Sequence, residues 1–182
     1  MSGTIDTVTF APAGTWTLDP VHSTVGFEVA YLTGTFRGTF REIDARLVVE
    51  GTSARLEGTA QVASVDVKDE NLNAHLQSPD FFDAERHPEL RFIADEIRVD
   101  DEAVSVPGVI TIKGETRPVL VTGTLRAALI DPYGNERIGL SLSALVDRTA
   151  FGVSWNNPLP SGEPALGDDV AIVADLQFVK AA

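Results

Sequence analysis

The chain has 182 residues, 43% of them hydrophobic, with a formal net charge of -13 and no cysteine. That length and apolar content suit one domain with a substantial core, whereas the excess of carboxylates disfavours nucleic acid and anionic headgroups as partners. The lack of cysteine excludes disulfides, thiolate nucleophiles, iron–sulfur ligation and cysteine zinc sites together.

Residues 1–14 are small, polar and turn-prone, which predicts a flexible leader ahead of a single domain over 15–182. Met1 to Phe36 contains no Lys or Arg, so the basic start of a secretory signal is missing and a cytoplasmic address is expected. No apolar run approaches the roughly 20 residues that a membrane-crossing helix needs.

Period-two alternation then dominates. Val25, Phe27, Val29 and Tyr31 share one strand face, as do Ile43, Ala45, Leu47 and Val49, and then Leu56, Gly58, Ala60 and Val62. The pattern returns at Val119, Val121, Gly123 and Leu125, at Ile138 to Val146, and at Val170 to Phe178. Turn residues at Lys113 to Pro118 and Asp131 to Asn135 imply meander connections. The spacing around Gly34 and Gly38 reads as turn chemistry. An all-β body with so many strands must form a sandwich or close into a barrel to remove its edges. The small residues Gly58, Ala60 and Gly123 would leave room inside a barrel.

One stretch interrupts the strands. Leu72, His75 and Leu76 fall at helical spacing within Asp69 to Gln77, and Ser78, Pro79 and Asp80 carry the cap, first-turn proline and acidic residue of a second helix start. Two short helices side by side are therefore expected, forming a lid that bears Phe81 and Phe82. Spacing alone leaves those aromatics as either core or ligand contacts, and the two roles are compatible. The histidines, His22, His75 and His87, lack paired metal-ligand spacing, so no metal is expected. No nucleophile elbow, phosphate loop or dinucleotide fingerprint occurs.

Six segments, in order, resemble the YceI-like family of polyisoprenoid-binding proteins. They are Trp16 to Phe27, Ala74 to Asp83, Ile112 to Val119, Asp131 to Gly134, Phe151 to Asn156 and Gly167 to Val170. The resemblance implies an extended, eight-stranded, antiparallel, lipocalin-like β-barrel with a short helical lid, holding a quinone or polyprenyl tail and often forming a homodimer. No cofactor beyond the bound isoprenoid is implied. Leu72 and Asn73 stand where the family usually carries an Arg-Asp pair, Tyr31 where histidine is common, His87 where tyrosine is common, and Ala150 where an acidic residue is common. These departures bear on headgroup preference.

Strand phase, aromatic size and the family-like segments together give the ligand-binding candidates Phe27, Val29, Phe36, Phe40, His75, Leu76, Phe81, Phe82, Phe92, Arg148 and Trp155. His22 and Asn156 are further polar candidates. The expected function is non-enzymatic binding, sequestration or transport of an isoprenoid or related amphiphilic lipid. The alternatives are a lipid- or quinone-modifying barrel enzyme using His22 and His75, and a stress-response interaction protein whose cavity is filled by its own side chains.

Overall fold

The computed structural model describes residues 11–51 and 53–181. Its strands are β1 (Gly14–Leu18), β2 (Thr24–Tyr31), β3 (Gly34–Phe40), β4 (Ile43–Glu50), β5 (Ser53–Gln61), β6 (Val65–Asp66), β7 (Glu89–Ala94), β8 (Arg98–Asp100), β9 (Ala103–Ile112), β10 (Glu115–Ile130), β11 (Glu136–Asp147) and β12 (Leu166–Lys180). The helix α1 (Glu70–Gln77) lies between β6 and β7. Of the expected leader, residues 1–10 lie outside the described residues. Ala11 is buried, and the Pro12 carbonyl accepts the Trp16 indole N–H at 3.0 Å.

Eight strands close an antiparallel ring in the order β1, β4, β5, β7, β9, β10, β11, β12 and back to β1. Along each, apolar and polar residues alternate because successive side chains point to opposite faces of a strand. In β11, Ile138, Leu140, Leu142, Ala144 and Val146 are buried while Ser141, Ser143 and Asp147 are exposed.

The long strand β12 serves two neighbours on one edge. Near its C-terminus Phe178 to Lys180 pair with β1, and from Leu166 to Asp175 it pairs with β2. The barrel is thereby extended past β1, with β2, β3 and the two-residue β6 continuing the wall at the far end. Between β6 and β7 the wall is covered by α1 and the segment after it. The Val67 amide donates to Asn73 Oδ1 at 2.8 Å, and the Val62 amide to the Pro88 carbonyl at 2.9 Å.

The interior divides accordingly. At the β1 end, Trp16, Leu47, Leu140 and Phe178 are fully buried and pack into a solid plug. At the β2 end, Phe27, Phe40, Leu76, Phe81, Phe151 and Leu166 belong to a second cluster.

Three expectations need correction. Ser78 does not start a second helix but ends α1: its hydroxyl donates to the His75 carbonyl at 2.6 Å and its backbone is extended (φ -75°, ψ 167°). A residue before proline is kept out of the helical region by the pyrrolidine ring, so Pro79 stops the helix, and Ser78 to His87 form successive turns. Gly34 and Gly38 lie within β3, the turn being at Leu32 and Thr33. Gly38 is small because the Phe27 ring lies on it: a Cβ added there would stand only 2.5 Å from Phe27 Cζ. Gly123 does not widen the interior either. A Cβ there would meet the Ser141 carbonyl oxygen at 1.8 Å, so the residue permits close approach of β10 and β11.

The plugged end is tied by Arg137, which donates to Asp131 Oδ2 at 2.7 Å and to Asp19 Oδ2 at 2.8 Å. This links the β1–β2 loop to the β10–β11 turn. The guanidinium bonds hold both carboxyls down, from 3.8 to about 2. Because the folded values lie below the unfolded ones, the stabilisation is complete above about pH 4 and is lost as pH falls toward 2. We predict that Arg137→Gln lowers the urea midpoint at neutral pH, and that the gap between variant and parent narrows steadily from pH 4 to pH 2.

Candidate functional site

The extended end of the barrel encloses a cavity of about 340 Å³, within the range of small-molecule sites. Its floor is the upper surface of the plug, formed by Leu18, Leu56, Leu142 and Leu176. Its walls are the inward residues of the surrounding strands, including Val25, Val29, Ile110, Ile112, Val119, Val170 and Ile172. The cavity removes the alternative of an interior filled by its own side chains.

The lid is positioned from the chain outward. Asp69 caps α1 by accepting the Leu72 amide at 3.0 Å, satisfying one of the orphan donors of the first turn. Helical spacing then turns Leu72, His75 and Leu76 toward the barrel. After Pro79 the chain folds back, with the Phe82 amide donating to the Leu76 carbonyl and the Ala84 amide to the Gln77 carbonyl. This reversal drives Phe81 and Phe82 into two aromatic groups. Phe82 meets Phe27 and Phe40 edge-on, at centroid distances of 6.4 and 5.9 Å. Phe81 packs against Trp155 at 5.3 Å, and His75 stands edge-on to both Phe81 and Trp155 at 5.0 and 4.9 Å. These separations suit the quadrupole preference of aromatic pairs.

All eleven residues singled out from the sequence, Phe27, Val29, Phe36, Phe40, His75, Leu76, Phe81, Phe82, Phe92, Arg148 and Trp155, line this one cavity. Sequence reasoning missed Ile110, Ile112, Val153 and Leu166, which also line it. Alternation in Val104, Val106, Ile110 and Ile112 was the available signal, obscured by Pro107 and Gly108 in mid-strand.

The polar candidates have structural partners. Arg148 is buried, and its Nε donates to the Gly167 carbonyl, its Nη1 to the carbonyls of Val153 and Trp155, and its Nη2 to Leu166 O and Asp168 Oδ1. These five bonds match the five N–H donors of a guanidinium. Burial pulls its pKa downward, opposed by Asp168 and Asp147. Asn156 likewise holds the following loop, accepting the amides of Ala165 and Leu166 and donating to the Leu166 carbonyl. Together they fold residues 152–165 over the cavity's edge.

His22 and His75 do not form a pair. His22 bonds Asp19 at 2.7 Å beside the plugged end, where the Asp19 amide donates to Gln177. His75 bonds Asp80 at 3.0 Å near Trp155. From Leu166 to Gln177 along β12, at about 3.3 Å per residue, more than roughly 30 Å of strand separates the two ends. Among the described residues no three potential ligands gather as a metal site.

A closed antiparallel barrel with one plugged end, and an apolar cavity beneath a helical lid at the other, defines a lipocalin-like class of small barrel. The chain belongs to the YceI-like domain family, whose model matches residues 16–178. A UPF0312 protein of Staphylococcus epidermidis is 29% identical over 165 residues, covering 88% of this chain and 94% of that protein. Among solved structures, BcnA of Burkholderia cenocepacia superposes with a TM-score of 0.76 at 22% identity, covering 88% of this chain and 98% of BcnA. A polyisoprenoid binding domain from Saccharophagus degradans, implicated in plant cell wall breakdown, superposes with a TM-score of 0.70 at 13% identity, covering 91% of this chain and 98% of that domain. Both structures share the fold.

Replacing Arg148 with methionine orphans several buried carbonyls at once. With hydrogen bonds to charged groups worth about 1.5–3 kcal/mol each, Arg148→Met is expected to cost at least about 3 kcal/mol in chemical denaturation. Proteinase K should then cut the variant between Val153 and Pro164 faster than the parent.

Proposed function

We propose that this protein is a non-enzymatic carrier or sequestering protein for a polyisoprenoid or related long-tailed lipid, held in the barrel with the tail toward the plug. The observation that carries this reading is the cavity: closed at one end, apolar in lining, and bounded at the other by aromatics on a lid. The polyisoprenoid binding domain of Saccharophagus degradans, which has the same fold, supports it.

The energetics are adequate without a polar anchor. At about 0.8 kcal/mol per buried methylene, an isoprene unit contributes about 3 kcal/mol, so a few units offset an association cost of about 4–15 kcal/mol. Of the two arginines that line the cavity, Arg91 pairs with Glu89 at 3.7 Å and is half exposed. Arg148 has all its donors bonded, and Lys113 Nζ donates to the carbonyls of Pro79 and Gly152 at 2.6 and 3.1 Å. With a net charge of -13, the surroundings favour an uncharged end such as an alcohol or quinone over a phosphate.

Three measurements test the reading. Native mass spectrometry of freshly purified protein, followed by organic extraction, should show a stoichiometric isoprenoid or quinone; an empty barrel that also refuses added tails would end the proposal. In a competition assay, geranylgeraniol should bind at least about tenfold tighter than geranylgeranyl diphosphate, a gap of about 1.4 kcal/mol. Phe82 is only half-buried, so Phe82→Ser should weaken geranylgeraniol binding about tenfold or more through lost contact with the tail, about 1.5–3 kcal/mol when a side chain of that size is covered, with little change in melting temperature. Equal retention with a collapsed melting temperature would make Phe82 a core residue.

A further inference from the structure

The cavity lining does not stop at a polar lip. Tyr31 and Leu72 line the cavity and are also 42% and 45% exposed, and Leu32, at the tip of the β2–β3 hairpin, is 58% exposed. Tyr31 and Leu32 sit together on the β2–β3 hairpin and Leu72 on α1, so two elements contribute apolar groups to the opening. Leu32 is fixed there: its backbone has φ +50°, and its amide donates to the Ala165 carbonyl at 2.9 Å, joining the hairpin tip to the loop that Arg148 organises. Leu72 is fixed by the capped first turn of α1. The rim thus carries apolar groups on both elements, and two of them, Tyr31 and Leu72, continue the cavity lining outward.

Two pairs of charges on or beside the same elements are matched locally. Arg37 donates to Glu28 at 3.1 Å across β2 and β3, and His75 bonds Asp80 at 3.0 Å beside α1. The chain as a whole carries a net charge of -13. An anionic surface is therefore repelled, the more so because Glu70 on α1 is exposed and forms no ion pair among the described residues, whereas a surface without net charge is not repelled.

We propose that the rim formed by Tyr31, Leu32 and Leu72 is a docking surface for an uncharged, zwitterionic bilayer, against which the cavity opens directly. This rests on the carrier reading: a tail passing from cavity to bilayer between these apolar groups exposes less of itself to water, which is where its transfer barrier lies. The remaining exposed apolar residues lie away from the opening. Val109, Leu120 and Leu145 lie on the outer wall of β9, β10 and β11, and Val21, Leu129, Ile130 and Tyr133 lie at the plugged end.

The test is flotation of the full chain with phosphatidylcholine vesicles, beside a vesicle-free geranylgeraniol binding assay. The parent should float. Leu32→Glu combined with Leu72→Glu should reduce the floating fraction at least about tenfold, since interfacial binding scales with inserted apolar area. Leu120→Glu combined with Leu145→Glu should float like the parent, and added phosphatidylglycerol should weaken flotation. Transfer of geranylgeraniol from loaded protein should accelerate in proportion to vesicle concentration. A parent that binds geranylgeraniol but does not float, or whose transfer rate ignores vesicle concentration, overturns the docking surface and leaves the carrier reading standing. Failure to bind geranylgeraniol in solution removes the carrier reading itself. Equal flotation of the rim variant, or conversion of a vesicle-free dimer to monomer by the rim substitutions, assigns the contact elsewhere or to a second copy and overturns the proposal.

Discussion

The cavity depends on β12 being longer than the strand it closes against. A barrel whose last strand matched β1 in length would end at the plug, where Trp16, Leu47, Leu140 and Phe178 already fill the cross-section. Because β12 runs 15 residues and meets β1 only over Phe178 to Lys180, its remaining edge must be satisfied by another strand, since unpaired backbone groups on an edge are costly and invite misassembly. β2 fills that role, β3 follows β2, and the wall continues with nothing large enough to fill it. One register decision thus produces both a stable closed end and a hollow open one.

The extension brings a cost that the lid resolves. β6 has two residues, so the wall near it is incomplete. The chain covers that place with a helix rather than a strand, and a helix can carry His75 and Leu76 inward while the turns after Pro79 bring in Phe81 and Phe82. Arg148 supports the other side. A buried guanidinium is expensive to desolvate unless every donor is used, and here two donors hold the loop carbonyls of Val153 and Trp155 while the others bond Leu166, Gly167 and Asp168 at the start of β12. Its charge serves loop architecture, and the cavity stays apolar despite having an arginine in its lining.

Much of this was legible in the sequence, for identifiable reasons. Alternation along Val170 to Phe178 and Ile138 to Val146 is long and uninterrupted, so strand type and inward face followed directly. The aromatic lining followed from the same phase. Where the reading failed, a tertiary contact outweighed a local signal. Gly38 resembles turn chemistry until the Phe27 ring is seen on it, and Gly123 resembles cavity space until the Ser141 carbonyl is seen beside it. Ser78 carries the residue types of a helix start, but Pro79 makes it equally fit for a helix end. The roles of Arg148 and Asn156 depend on partners up to 20 residues away, which no local pattern contains.

The ammonium of Lys113 sits between the Pro79 carbonyl on the lid and the Gly152 carbonyl at the start of the opposite loop. Each segment is a separate stretch of chain with its own internal bonds, yet both lean on this one nitrogen. Movement of either pulls on the shared group and weakens the hold on the other. The two flaps over the cavity are therefore geared, and the β9–β10 turn that carries Lys113 is their common pivot.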